Sequence, residues 1–195
     1  MKNDIDKVKF FVFSGVFGVL WGVFEMLIGS YLHILNLPLR GAFMSGFGCV
    51  FMCVLRSYVN YKGVNLYAAI VAISIKLLSY GGFKLGPIVG IFIEAVIIEV
   101  IFGVFNFNKF SIIFSSLLCV LEGVPHFFIT TWIMYGGGIF EVYLNAMANI
   151  SKIFGFSKEI YIYVFLIWLF AHFLIGFFSS FVSIKLIGWL KNEIH

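Results

Sequence analysis

The sequence predicts an all-α membrane protein: a six-transmembrane-helix bundle with an extra interfacial helix between spans five and six. Three observations carry this. Of 195 residues, 62% are hydrophobic and 11% charged, against about 25% charged in an average soluble domain, too little charge to cover a water-facing globule. The mean hydropathy is +1.08. The apolar runs are continuous, whereas barrel strands would alternate apolar and polar residues. The same composition argues against a soluble enzyme, a disordered tail or a nucleic-acid binder. The net charge of +4 comes from basic residues scattered beside apolar runs.

Span one is read at 10–32 and stops before Pro38, which cannot continue a helix. It is too long for the hydrophobic region of a signal peptide, and no small-residue cleavage site follows it. Span two covers 41–59 and ends at the turn-rich Asn60-Tyr61-Lys62-Gly63. Span three, 64–78, is short and runs into a glycine-rich loop at 79–87. Span four, 88–105, closes at Asn106-Phe107-Asn108-Lys109, and span five, 110–135, carries Pro125 near its middle as an expected kink. Gly136-Gly137-Gly138 then opens the longest connection, in which 139–156 reads as an amphipathic interfacial helix with Glu141, Asn145, Asn149 and Lys152 on its polar side. Span six covers 160–190, and residues 1–195 form a single integral membrane domain.

Six spans put both termini on one side. That side carries Lys2, Lys7, Lys9, Arg56, Lys62, Lys109, Lys185 and Lys191, against Arg40, Lys76, Lys84, Lys152 and Lys158 opposite. The bias places the termini in the cytoplasm and the protein in the cell membrane.

Charges inside spans are costly, so they face the bundle interior and pair, or meet a ligand. They are Glu25, Lys76, Glu94, Glu99 and Glu122, with His126 and His172 beside them. Four acids face one lysine. Pairs such as Glu25–Lys76 or Lys76–Glu94 would lock helices together. The surplus acid would need a cationic ligand, water, or Arg40 and Lys84 reaching in from the loops. Glu122 and His126 stand at i, i+4 on one helical face. Trp132 is either a belt residue at the membrane interface or a stacking surface for a flat ligand. The candidate substrate-binding residues are therefore Glu25, Arg40, Lys76, Lys84, Glu94, Glu122, His126 and Trp132.

Ser14, Gly18 and Gly22 repeat every four residues, a small-residue stripe that lets another helix approach to backbone contact. That helix belongs either to this bundle or to another membrane subunit. Cys49, Cys53 and Cys119 lie in apolar segments without a CxxC partner and read as small core residues, not as a disulfide or zinc framework. No HExxH, Walker A or GxSxG pattern occurs, and the aspartates are confined to Asp4 and Asp6. Neither an enzyme activity nor a cofactor or resident metal is expected.

The chain resembles the substrate-binding S components of energy-coupling factor (ECF) transporters in its size, six spans, inner termini and Ser14-xxx-Gly18-xxx-Gly22 stripe. The resemblance covers most of the chain and is architectural; that family often has alanines where this chain has glycines. It implies a non-enzymatic subunit that captures a small water-soluble vitamin or precursor in the outer half of the membrane, under the loops at 33–40 and 79–87. It also implies a transmembrane coupling subunit docked on Ser14, Gly18 and Gly22, and partner ATPase subunits. The alternatives are a stand-alone proton-coupled transporter or channel using Glu94, Glu99, Glu122 and His126, and a structural membrane subunit. An intramembrane enzyme acting on lipid would need a nucleophile or metal cluster that the sequence does not show.

Overall fold

The computed structural model describes residues 2–34, 39–79, 85–136 and 160–193, with positions 138, 141, 144, 145 and 148 between the last two segments. Among these residues the secondary structure is helical, without strands. Helix α1 runs over Lys2–Phe24, widens into a π-helical turn at Glu25–Gly29 and finishes as Ser30–Ile34. It is followed by α2 (Arg40–Tyr58), α3 (Val64–Leu77), α4 (Leu85–Phe105), α5 (Lys109–Tyr135) and α6 (Ile160–Glu193).

Local chemistry sets several of these ends. Gly63 precedes α3 with φ +86°, a left-handed conformation that costs glycine little. Asn108 and Ser111 cap α5 reciprocally: the Asn108 side chain accepts from the Ser111 N–H at 3.0 Å, and the Asn108 N–H donates to Ser111 Oγ at 3.0 Å. Gly136 ends α5 with φ +65° and donates its N–H to the Trp132 carbonyl. Pro87 falls within the first turns of α4, where the missing N–H breaks no helical bond, so α4 starts three residues before the expected boundary at 88.

Five helical segments are long and apolar enough to cross a membrane: Asp6–Leu32, Arg40–Tyr58, Leu85–Phe105, Lys109–Thr130 and Ile162–Asn192. The 14 residues of α3 span about 21 Å, short of the roughly 30 Å hydrocarbon core. Of the expected interfacial helix at 139–156, only Glu141, Leu144, Asn145 and Ala148 are described, all helical; the rest lies outside the described residues.

Helix α2 is the centre of the bundle and touches each of the other five, which follow around it in the order α1, α3, α4, α5, α6. Its composition explains the position. Ala42, Ser45, Gly46, Gly48, Cys49 and Cys53 are small and buried, so neighbours approach its backbone from several sides. Serines do the same between α5 and α6, where Ser115, Ser116, Ser179, Ser180 and Ser183 are buried. A Cβ on Gly176 would meet the Ser116 carbonyl at 3.1 Å. The outer faces carry exposed phenylalanine, leucine, isoleucine and valine, among them Phe11, Val16, Leu20, Phe173, Phe177 and Phe181, a surface compatible with lipid contact.

Cys49, Cys53 and Cys119 are unbridged and fully buried in the core with Trp21 and Met52. A thiol reacts only when it is accessible as the thiolate. In the folded protein all three are expected to resist maleimide, and all three to label after denaturation; mass spectrometry of the labelled protein checks this.

Candidate functional site

Charged side chains collect at both ends of the bundle. At one end α2 finishes and α3 begins. There Arg56, 3% exposed, places Nη1 3.2 Å from Glu99 Oε2 and 3.3 Å from Oε1, and donates to the Tyr61 carbonyl. Glu99 also accepts the Gly63 N–H and the Asn65 N–H, each at 2.9 Å. One carboxylate thus holds an arginine and the first free amides of α3, where the helix dipole favours negative charge. The Phe102 ring lies 6.0 Å from the guanidinium carbon. This corrects two expectations. Arg56, counted among the cations of the terminus side, is a buried partner of Glu99, and Glu99 is engaged in closing the α2–α3 turn, which leaves it out of any surplus of acid.

At the other end the π-helical turn of α1 faces the last turn of α3. Lys76 Nζ donates to the Glu25 backbone carbonyl at 2.6 Å and to Glu25 Oε2 at 3.3 Å. Both residues are 6% exposed. The wide turn breaks the regular i→i−4 ladder, and the ammonium takes up a carbonyl there. A Cβ on Gly29 would come within 3.0 Å of that nitrogen, so the glycine makes room for the lysine. Of the two pairings open to Lys76, the structure shows the one with Glu25.

Glu94 lies deeper, on α4, and is also 6% exposed. Ser45 of α2 donates to its Oε1 at 2.5 Å. Among the described residues no lysine or arginine pairs with it, and the carboxyls of Glu25 and Glu122 are the like charges that act on it. Glu122 reaches His126 Nδ1 at 3.2 Å along α5. The same imidazole ring lies over Gly90 of α4, 3.8 Å from where a Cβ would be. His172 of α6 is 3% exposed, bonds the Trp168 carbonyl through Nδ1 at 2.9 Å and turns Nε2 toward Gly123.

Three largely buried polar pairs thus stand on α1 to α5: Glu25–Lys76 joins α1 to α3, Ser45–Glu94 joins α2 to α4, and Glu122–His126 of α5 packs against α4 at Gly90. Arg40 and Trp132 do not join them: Arg40 opens α2 on the surface, and Trp132 is 50% exposed. Lys84 lies outside the described residues. Two participants were missed, Ser45 and Trp21. Trp21 is four residues before Glu25, hence on the same helical face, and that spacing would have flagged it.

Ser14, Gly18 and Gly22 are occupied within the chain. Ser14 is fully buried, and Cβ atoms on Gly18 and Gly22 would lie 2.6 Å from the Ala68 carbonyl oxygen and 2.9 Å from Ala72 Cα. Val64, Ala68 and Ala72 repeat every four residues on α3, so two small-residue stripes mesh, and the Glu25–Lys76 pair closes the far end of the seam. An outside helix reaches this stripe only if α3 leaves it.

The architecture is that of an all-helical bundle whose long apolar helices are compatible with a multi-pass membrane protein. No protein-family model, curated protein or solved structure matches the chain.

Proposed function

We propose that this chain is a membrane-embedded substrate-capture subunit, similar to the S component of an ECF-type importer, that binds a small water-soluble vitamin or precursor without chemical conversion. The observation that carries the reading is the set of largely buried polar pairs that α1 to α5 contribute toward one end of the bundle. Within it, Glu94 has Ser45 as a hydrogen-bond donor and no basic partner among the described residues. A carboxyl in that position is expensive unless something else compensates it, and a bound solute does so. In this reading α3 completes a six-span bundle, the termini lie in the cytoplasm, and a coupling subunit with its ATPases supplies the energy. The coupling subunit docks on a lipid-facing surface, because α3 covers the glycine stripe.

Native mass spectrometry of the protein purified in mild detergent tests this. The wild type is expected to release a co-purified small molecule that Glu94→Gln lacks, and to gain uptake only when co-expressed with coupling and ATPase subunits. A wild-type protein that carries no solute counts against the reading.

A second reading rests on the sequence of titratable groups Glu94, Glu122 and His126. They would relay protons in a stand-alone transporter. Solute uptake by this chain alone in proteoliposomes, driven by a pH gradient, would favour it over the first.

A further inference from the structure

The net charge of the molecule is not evenly placed. Helix α1 starts, and α2, α4 and α6 finish, at one end of the bundle: the Phe10 ring lies 6.2 Å from that of Tyr61, Arg56 pairs with Glu99, and Ile187 shares a core cluster with Phe102 and Ile112. That end holds eight basic residues and four acidic ones, Asp4, Asp6, Glu99 and Glu193. The rest of the chain holds five of each, so the whole excess of +4 stands at the end of the termini. Arg56 and Glu99 neutralise each other inside the bundle. Lys7, Lys9, Lys62, Lys109, Lys185 and Lys191 are exposed, against Asp6 as the exposed acid among the described side chains there. At the opposite end the exposed cation among the described side chains is Arg40.

Around this rim each lysine site has an exposed aromatic ring beside it. Lys7 and Phe11 are i, i+4 on α1, and Phe11 meets Tyr67 of α3 with ring centroids 5.3 Å apart. Lys62 follows the exposed Tyr61 in the α2–α3 turn. Lys109 precedes Phe110, whose ring lies 5.6 Å from that of Phe105 on α4. Trp189 is exposed between Lys185 and Lys191 on α6. Tyrosine and tryptophan settle at the membrane–water boundary, and a lysine stem lies along apolar surface while its ammonium reaches the phosphates beyond.

We propose that this rim is an anionic-phospholipid surface, on which the six exposed lysines hold a shell of negatively charged headgroups around the end that carries the termini. Basic residues next to a membrane attract such lipids over about a Debye length, and few acids here oppose the attraction. A zwitterionic lipid brings its own cation with the phosphate and gains less. An acidic protein would neutralise the lysines and leave the rings between them without a role, whereas lipid uses both. The surface needs only that the bundle sits in a membrane, and it holds whether or not the chain captures a solute.

Native mass spectrometry tests this on the full chain, purified into mild-detergent micelles that contain equal amounts of phosphatidylglycerol and phosphatidylcholine. The wild type is expected to retain phosphatidylglycerol over phosphatidylcholine by at least about fivefold, the factor that one lysine near the surface supplies. Raising the salt should lower that preference, because exposed charges are screened. The combined variant Lys7→Gln/Lys9→Gln/Lys62→Gln/Lys109→Gln/Lys185→Gln/Lys191→Gln is expected to bring the ratio close to one, while Arg40→Gln keeps it. Melting temperature reports whether the variant folds, and the lipid and salt comparisons on the wild type need no variant. Equal retention of the two lipids by the wild type would leave the lysines to water alone and overturn the proposal. A preference that the folded six-lysine variant keeps, or that Arg40→Gln abolishes, would overturn it as well.

Discussion

Arg56→Met is expected to destabilise the detergent-solubilised protein by about 3–5 kcal/mol, the range for removing one member of a buried ion pair. The loss arises from what stays behind. Glu99 would remain buried, 9% exposed at its side chain, with its arginine gone. It would still accept from the Gly63 and Asn65 amides, which is why the cost should not exceed that range. The double variant Arg56→Met/Glu99→Leu separates the contributions. It removes both charges and recovers most of the loss, since a buried pair replaced by apolar side chains is often neutral. Recovery stops short of wild type by about 0.5–2 kcal/mol, the worth of a helix N-cap, because the first amides of α3 then lack an acceptor. Thermal unfolding in one detergent, with all three proteins compared, measures this. A double variant no better than Arg56→Met would show that Glu99 serves α3 and gains little from the arginine.

The same pair shows where reading residues along a line breaks down. Arg56 lies near the end of an apolar run, the position from which a long basic side chain ordinarily reaches the headgroups. Its partner is 43 residues away, and only the packing of α4 against α3 and the α2–α3 turn brings Glu99 to it. Glu94 and Glu99, five residues apart on α4, looked like one surplus of acid. Five residues turn a helix by about 140°, and the two carboxyls serve different clusters. What was legible was local. The helix ends at Asn60–Gly63 and Asn106–Lys109 follow from turn chemistry, the i, i+4 pair Glu122–His126 follows from helical periodicity, and the seam-closing Glu25–Lys76 pair was among the pairings weighed. Trp21 carries one signal in the sequence, its four-residue spacing to Glu25; that its N–H is buried without a partner is visible only in the fold.

Gly18→Leu and Gly22→Leu are expected to prevent folding of the isolated chain, and even Gly18→Ala to cost about 1–3 kcal/mol, the usual range for overpacking. The argument rests on which atoms would be struck. At Gly18 a methyl group would come within 2.6 Å of the Ala68 carbonyl oxygen and 3.1 Å of Ala68 Cα. At Gly22 it would come within 2.9 Å of Ala72 Cα and 3.0 Å of the Ala72 carbonyl oxygen. These are backbone atoms, so relief requires moving α1 away from α3, and the Glu25–Lys76 pair at the end of the seam opposes that shift. In a bilayer, lipid would offer no compensating hydrophobic drive between the helices, which would leave close packing as their main attraction. Gly15→Ala is the control. It lies on the same helix, and a Cβ there has nothing within 4 Å; the change should be neutral or stabilising by about 0.5–1 kcal/mol through helix propensity alone. Melting temperature and monodispersity in detergent, measured on the chain without partners, decide the matter. A stripe reserved for another subunit would leave Gly18→Leu monodisperse and as stable as wild type, with the defect appearing only on association. A stripe used by α3 makes the defect intrinsic, so a lost pull-down with Gly18→Leu identifies a docking surface only if the variant is first shown to fold.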